Sequence, residues 1–247
     1  LGSSFAFIAV VIAVTGYAGS GPNPNIALAL GGIIACGALY AVIGLIVMAV
    51  GTGWVEKLMP PAVTGAIGVA IGLNLAPVAV GQLKGSGAHM TIALLTVLCM
   101  AMISAYGPLA TKRIAVLLAL LFGYCLVLIF GNGLGFVPGI NFAAVSAAPW
   151  FGLPTFAKPV FTWPAITLIA PVAIVLVAEN LGHIKALGSI TGQNMDRYIG
   201  RGFLGDGIAT MISGSGGGTG VTTYAENIGV MAMTKVYSTL IFVIAAV

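Results

Sequence analysis

The sequence predicts an all-α polytopic membrane protein, and three observations predict it. Hydrophobic residues make up 60% of the 247 residues and charged residues only 6%, against roughly 45–50% and about 25% in an ordinary soluble domain. So few charges cannot cover a water-exposed surface of this size. The charges are also clustered: none occurs from Leu1 to Val55, Leu58 to Leu83, Gly85 to Thr111, Ile114 to Ala157 or Pro159 to Ala178. A spanning helix needs ~20 mostly apolar residues; each window holds at least one, and the first holds two. Turn-forming residues then punctuate the apolar runs.

The elements follow in order. An apolar segment covers Leu1 to Ala18, and the turn-rich GYAGSGPNPN separates it from a second, Ile26 to Val50. Further segments cover Pro61 to Val80, Met90 to Tyr106 and Ile114 to Phe130. A long loop rich in Gly, Pro and aromatics leads to about Trp163. A sixth segment, Pro164 to Leu187, carries charges in its second half. A segment too short to span, Phe203 to Ser213, leads into GSGGGTG, and helices are expected from Ala225 to Met233 and from near Tyr237. The chain begins without Met and ends inside an apolar run, so it reads as a piece of a longer protein.

Alternating crossings put Lys57, Lys112, Arg113, Lys185, Arg197, Arg201 and Lys235 on one side, and Lys84 and Lys158 on the other. That bias makes the first side cytoplasmic. Trp54, Trp150 and Trp163 read as interfacial anchors. Cys36, Cys99 and Cys125 sit inside apolar runs and read as buried small hydrophobes, with no metal-ligand spacing. The net charge of +4 comes from scattered basic residues, without the stripe and aromatic interleaving of a nucleic-acid binder.

Two stretches break helix logic: LGSSFAF at 1–7 and GSGGGTGVTTY at 214–224. Irregular backbone at membrane depth is tolerable only where it is buried in protein or lines a cavity. Secondary transporters place such breaks at their substrate site, in inverted repeats. Thr222, Thr223 and Tyr224 favour extended backbone, so a short strand in each stretch, pairing across the two, is expected. Glycines that merely allow close helix packing are the alternative. A phosphate loop is excluded because the Lys-Ser/Thr ending is missing.

Ionisable groups inside the membrane are functional candidates, since each costs ~2.5–3.5 kcal/mol or more to insert. Glu179 and His183 are spaced i, i+4 and share a helix face. Glu226 opens a helix directly after the glycine-rich break, where a carboxylate is stabilised. Two acids and an imidazole in a dry cavity suit a group that loads and releases a proton. The structural alternative makes Glu179 an interhelical hydrogen-bonding acid and places His183 at the cytoplasmic interface. His89 reads as a solvated external-loop residue and Asp206 as the N-cap of a segment starting at Gly207. Asp196, Arg197 and Arg201 read as a solvated cytoplasmic loop.

Residues 226–235, ENIGVMAMTK, resemble the signature of the nucleobase–ascorbate transporter family, with Glu226, Asn227, Gly229, Thr234 and Lys235 at its fixed positions. AENLGHIKALGSITG, TTYAENIG and LGSSFAF resemble the family's eighth, tenth and third segments. The resemblance implies part of a fourteen-segment, seven-plus-seven inverted repeat with two short strands in its broken segments. It implies core-domain parts at 1–53 and 164–247, a gate-domain part at 54–131, and an extracytoplasmic loop at 132–163. Glutamate at the first signature position resembles bacterial uracil permeases. Carried over, Glu179 and Glu226 would accept hydrogen bonds from uracil, and main-chain groups at Phe5, Tyr224 and Ala225 would meet its carbonyls and ring. Ala225 departs from a relative's glycine. His183 would support Glu179 and take part in proton coupling.

The resemblance thus implies uracil:proton symport by alternating access in the cell's inner (plasma) membrane. H+ would be the coupling ion with no cofactor, and a homodimer would form through the gate domain. Chemistry agrees, because uracil alternates N–H donors and C=O acceptors, and a site that pairs them rejects unmatched ligands. A broader pyrimidine or purine (xanthine or urate) permease is the alternative. An anion transporter would favour a cationic site, and an intramembrane hydrolase would need a nucleophile–base or metal constellation. A purely structural role leaves the buried acids unexplained.

Overall fold

Apolar composition sets the helices and glycine sets how closely they approach. The computed structural model describes residues 2–17, 22–82, 87–112, 114–149 and 156–246. Strand β1 (Gly2–Ser3) leads into helix α1 (Ala6–Thr15), followed by α2 (Ile26–Val50), α3 (Gly53–Leu58) and α4 (Pro61–Gln82). Helices α5 (Gly87–Tyr106), α6 (Leu109–Lys112) and α7 (Ala115–Val127) come next. A π-helical turn at Leu128–Gly133 extends α7, and α8 (Phe142–Ser146) follows. Then come α9 (Trp163–Ile169), α10 (Val172–Thr191), α11 (Asp196–Ser215), β2 (Val221–Thr222), α12 (Ala225–Thr234) and α13 (Thr239–Ala246). Among the described residues four stretches are long and apolar enough to cross a membrane: Ile26–Val50, Gly87–Tyr106, Ala115–Gly133 and Trp163–Thr191.

Contacts divide the chain into two units. One comprises Leu1–Leu75 with Leu153–Ala232 and the other Ala76–Gly152 with Met233–Val247. In the first, α2 and α11 pack antiparallel along a glycine seam. Gly37 and Gly44 on α2 meet Gly207 and Gly200 on α11, and Gly214, seven residues further on, lies against Ile33 and Ile34. A Cβ on Gly207 would lie 2.5 Å from the Ala41 nitrogen and 2.7 Å from the Gly37 oxygen. Small residues at helical spacing allow this approach of backbones inside a membrane, where dispersion contacts replace the hydrophobic drive. Around the seam Phe7, Leu30, Ile33, Tyr40, Leu176 and Phe203 are buried, and the Tyr40 and Phe203 rings lie 5.3 Å apart. Gly16, at a left-handed φ of 64°, ends α1, and the Asn25 amide donates to the Thr15 carbonyl at 3.1 Å. In the second unit α7 packs on α5 at Gly123, where a Cβ would meet Thr96 Oγ1 at 2.6 Å. Asn132 ties the π turn to the following loop through the Ile140 N–H and carbonyl (2.8 and 3.1 Å).

Several expectations are corrected. The segment from Phe203 to Ser213 is the second half of a 20-residue helix, α11. Asp206 therefore lies mid-helix and is not an N-cap, and Asp196, Arg197 and Arg201 form the first turns, not a loop. The true start is set by Asn194, whose Oδ1 accepts from the Asp196 N–H at 2.8 Å. The sixth segment is two helices: Pro171 lacks an N–H, and the turn tightens to Ala173 N–H on the Ala170 carbonyl at 3.0 Å. His89 sits in the first turn of α5 and not in a loop. Trp54 is partly buried against the core, and Trp163 is 76% exposed. Cys36 is buried, but Cys125 faces outward, because an apolar helix in a bilayer has no need to bury every apolar side chain. Trp150, Lys84 and Arg113 lie outside the described residues.

Candidate functional site

The two irregular stretches meet. β1 and β2 pair antiparallel, Gly2 opposite Thr222 and Ser3 opposite Val221, as the sequence predicted. The Ser4 N–H extends the pairing to the Gly220 carbonyl at 2.9 Å. Each strand runs directly into a helix, β1 into α1 and β2 into α12. Two helix N-termini with their positive dipole ends therefore flank one strand pair; on α1, Ser4 accepts from the Ala6 and Phe7 N–H groups, each at 3.3 Å.

The backbone of the second break is satisfied by hydroxyls of α11. Thr210 Oγ1 accepts from the Val221 N–H at 3.2 Å, and Ser213 donates to the Thr219 carbonyl at 2.6 Å. The Gly218 N–H reaches the Ser213 carbonyl at 2.8 Å. Gly217 takes φ +89°, which an L side chain would resist.

Phe5 and Tyr224 close the strand pair with their rings. The centroids are 6.4 Å apart and the planes 12° from parallel. Tyr224 is positioned by its hydroxyl, which donates to the Ser3 carbonyl at 2.8 Å. Phe5 remains 54% exposed.

Helix α10 brings the polar groups. His183 Nδ1 lies 2.7 Å from the Thr223 hydroxyl, and that hydroxyl donates to Asn180 Oδ1 at 2.7 Å. A hydroxyl has one proton, and here it is committed to Asn180, so Nδ1 must be the donor to Thr223. The exchangeable position of the imidazole is then Nε2. Asn180, only 1% exposed, uses both amide protons. One goes to the Tyr40 hydroxyl at 2.7 Å and the other to Asp206 Oδ2 in a short contact. Tyr40 passes its own proton to the Leu176 carbonyl at 3.3 Å. Every member of this buried network thus has a partner, which makes it rigid.

Of the site residues read from the sequence, Phe5, Tyr224 and His183 are brought into one neighbourhood through the strands and Thr223. Glu179 is half-buried on α10, one helical turn from His183. Ala225 and Glu226 begin α12 immediately after this cluster, and their side chains lie outside the described residues. Asn180, Thr223 and Tyr40 were missed. Their signal was present: an amide and a phenol inside apolar runs need partners as surely as an acid does.

At the far end of α10, Lys185 Nζ bridges Glu56 Oε1 on α3 at 2.7 Å and Asp196 Oδ1 on α11 at 2.6 Å. It joins α10, α3 and α11.

A family model described as a permease family matches residues 1–247. The chain belongs to this family, the nucleobase–ascorbate transporters. It is 58% identical over its whole length to an Escherichia coli K12 protein provisionally named pyrimidine permease RutG, covering 56% of that protein. It is 38% identical over its whole length to the uracil permeases of Paenibacillus larvae subsp. larvae and E. coli K12, covering 59% and 57% of them. The chain thus spans little more than half the length of the curated relatives it matches. The family consists of permeases and not enzymes, and the apolar helices are those of a multi-pass membrane protein.

Proposed function

We propose that this chain forms the substrate-carrying part of a uracil:proton symporter that works by alternating access. The observation that carries the reading is the meeting of two strand–helix junctions beside parallel aromatic rings and the His183 face of α10. Uracil is flat, and stacking of a base on an aromatic ring is worth about 1–3 kcal/mol; Phe5 and Tyr224 offer such faces. Its carbonyls accept from the main-chain N–H groups of Phe5, Tyr224 and Ala225, which lie just before and at the starts of α1 and α12. Its N–H groups donate to the carboxylates of Glu179 and Glu226. An analogue with the opposite donor pattern leaves these groups unmatched and is rejected.

Coupling rests on His183. Thr223 fixes Nδ1 as donor, so Nε2 takes up and gives back the proton next to Glu179. H+ is the coupling ion, and no cofactor is invoked. In the complete protein, residues 1–53 and 164–247 belong to the core domain and 54–131 to the gate domain. The loop at 132–163 is extracytoplasmic. The whole has the fourteen-segment inverted repeat, sits in the inner (plasma) membrane and dimerises through its gate.

The test is labelled-uracil uptake by the full-length protein in proteoliposomes, with and without an inward proton gradient. Gradient-stimulated uptake that excess unlabelled uracil suppresses supports the reading. Absence of specific uptake by folded protein refutes it. The 58% identity to a protein named as a pyrimidine permease favours a second reading, a broader pyrimidine range. Thymine competing as well as uracil would favour it.

A further inference from the structure

The last turn of α2 and the first turns of α11 enclose a cleft of about 400 Å³ that transport chemistry does not use. Val47, Met48 and Thr52 form one wall, and Asp196, Arg197 and Arg201 the other. Its depth follows from helix length. The 25 residues of α2 span ~37 Å at about 1.5 Å each, against a hydrocarbon core of ~30 Å. A helix longer than the core reaches the headgroup layer, and the charged first turns of α11 beside the last turn of α2 mark this as the end that does.

The charge in this cleft is cationic and available. Arg197 and Arg201 are one turn apart on α11, and among the described residues neither forms an ion pair. Asp196 is occupied by Lys185 at 2.6 Å. The guanidinium carbons sit 4.7 and 6.0 Å from the centroid of the Tyr198 ring. A guanidinium held near an aromatic ring by this contact still carries N–H donors for an acceptor. Two such groups suit phosphate oxygens, which guanidinium binds in bidentate fashion. Away from the cleft, Leu39, Val42, Leu45 and Ile46 form an exposed apolar stripe along α2.

We propose that this cleft binds the phosphodiester headgroup of an anionic phospholipid in the arginine-side leaflet, with an acyl chain lying along the α2 stripe. The Lys/Arg bias makes that leaflet cytoplasmic, where anionic lipids create a negative surface potential. A zwitterionic lipid carries its own cation beside the phosphate and gains less from two guanidiniums.

The experiment uses the full-length protein in detergent, titrated with phosphatidylglycerol or phosphatidylcholine. Native mass spectrometry counts bound lipid, and the thermal midpoint reports folding. Wild type should retain phosphatidylglycerol in preference to phosphatidylcholine. Arg197→Gln with Arg201→Gln should weaken phosphatidylglycerol binding roughly thirty-fold, about five-fold per charge, with an unchanged midpoint in phosphatidylcholine. Thr52→Glu, which keeps both arginines and adds a carboxylate to the opposite wall, should also reduce retention. Equal retention of the two lipids, or full retention by a folded double variant or by Thr52→Glu, overturns the proposal. Displacement of the lipid by inorganic phosphate at equal concentration also overturns it, because the site would then hold free phosphate.

Discussion

Thr223→Val isolates the polar network from every other feature of the site. The substitution keeps the shape of the side chain and removes the one hydroxyl that joins His183 Nδ1 to Asn180 Oδ1, both at 2.7 Å. Asn180 is 1% exposed, so its carbonyl oxygen cannot find water in exchange. Leaving a buried acceptor unsatisfied costs about 1–3 kcal/mol. His183 is half-buried and adds less, since water can reach part of the ring. No cavity term enters, because the volume is conserved. The expected loss of stability is therefore about 1–3 kcal/mol, with Thr223→Ser close to wild type because it restores the hydroxyl. The second consequence is functional. Without Thr223 to accept from Nδ1, the imidazole loses its fixed tautomer and orientation, and gradient-driven uptake should fall more than substrate binding. The assays are thermal unfolding of the purified protein and proton-driven uracil uptake, run on both variants. A Thr223→Val protein with wild-type midpoint and wild-type gradient stimulation would refute the network as described.

Four further outcomes are expected. Glu226→Ala should abolish uracil binding, read by calorimetry, while leaving the thermal midpoint near wild type; normal binding by folded protein would remove Glu226 from the site. His183→Ala should impair proton-driven uptake more than equilibrium binding, and unchanged uptake would end its coupling role. Gly207→Ala should cost about 1–3 kcal/mol of stability through overpacking against α2 backbone. Gly205→Ala on the same helix, where a Cβ meets nothing within 4 Å, should cost nothing, and equal midpoints for the two would discount the seam. Lys185→Ala should cost at most about 1–2 kcal/mol, because both its ion pairs are 40–44% exposed, and added salt should erase part of the difference in midpoint.

Membrane class and most helix positions were legible because they depend on composition alone. Ile26–Val50 was read to the residue, since a charge-free run between Asn25 and Gly51 leaves little choice. The strand pair was legible too, because glycine-rich backbone at membrane depth must find partners. Helix α11 was misread because its first turns carry Asp196, Arg197 and Arg201 and its length is full of glycine. Low hydropathy and low helix propensity both argued for a loop. Tertiary contact decides otherwise: the same glycines that weaken an isolated helix let α11 lie against α2. The network around Asn180 escaped because attention to charge passes over an amide. The seven-residue glycine spacing was on view in the sequence, but only its partner helix gives it meaning.

The glycine seam and the site are two faces of one helix. On α11, Gly200, Gly207 and Gly214 form the stripe against α2. Asp206, Thr210 and Ser213 fall at i, i+4 and i+7 on the neighbouring stripe, which serves Asn180, β2 and the loop before it. Close approach on the first stripe sets how far the second can reach. A bulkier seam would push α11 from α2, and the hydroxyls of Thr210 and Ser213 would lose the Val221 N–H and the Thr219 carbonyl. In water such backbone could be solvated; at membrane depth it cannot. The small residues along α2 and α11 therefore make the broken segment affordable, and the broken segment is what places two helix N-termini beside His183. It follows that a substitution such as Gly207→Ala, remote from any ligand, should weaken nucleobase binding as well as stability. Binding that stayed intact in a destabilised Gly207→Ala protein would show that the two stripes act independently.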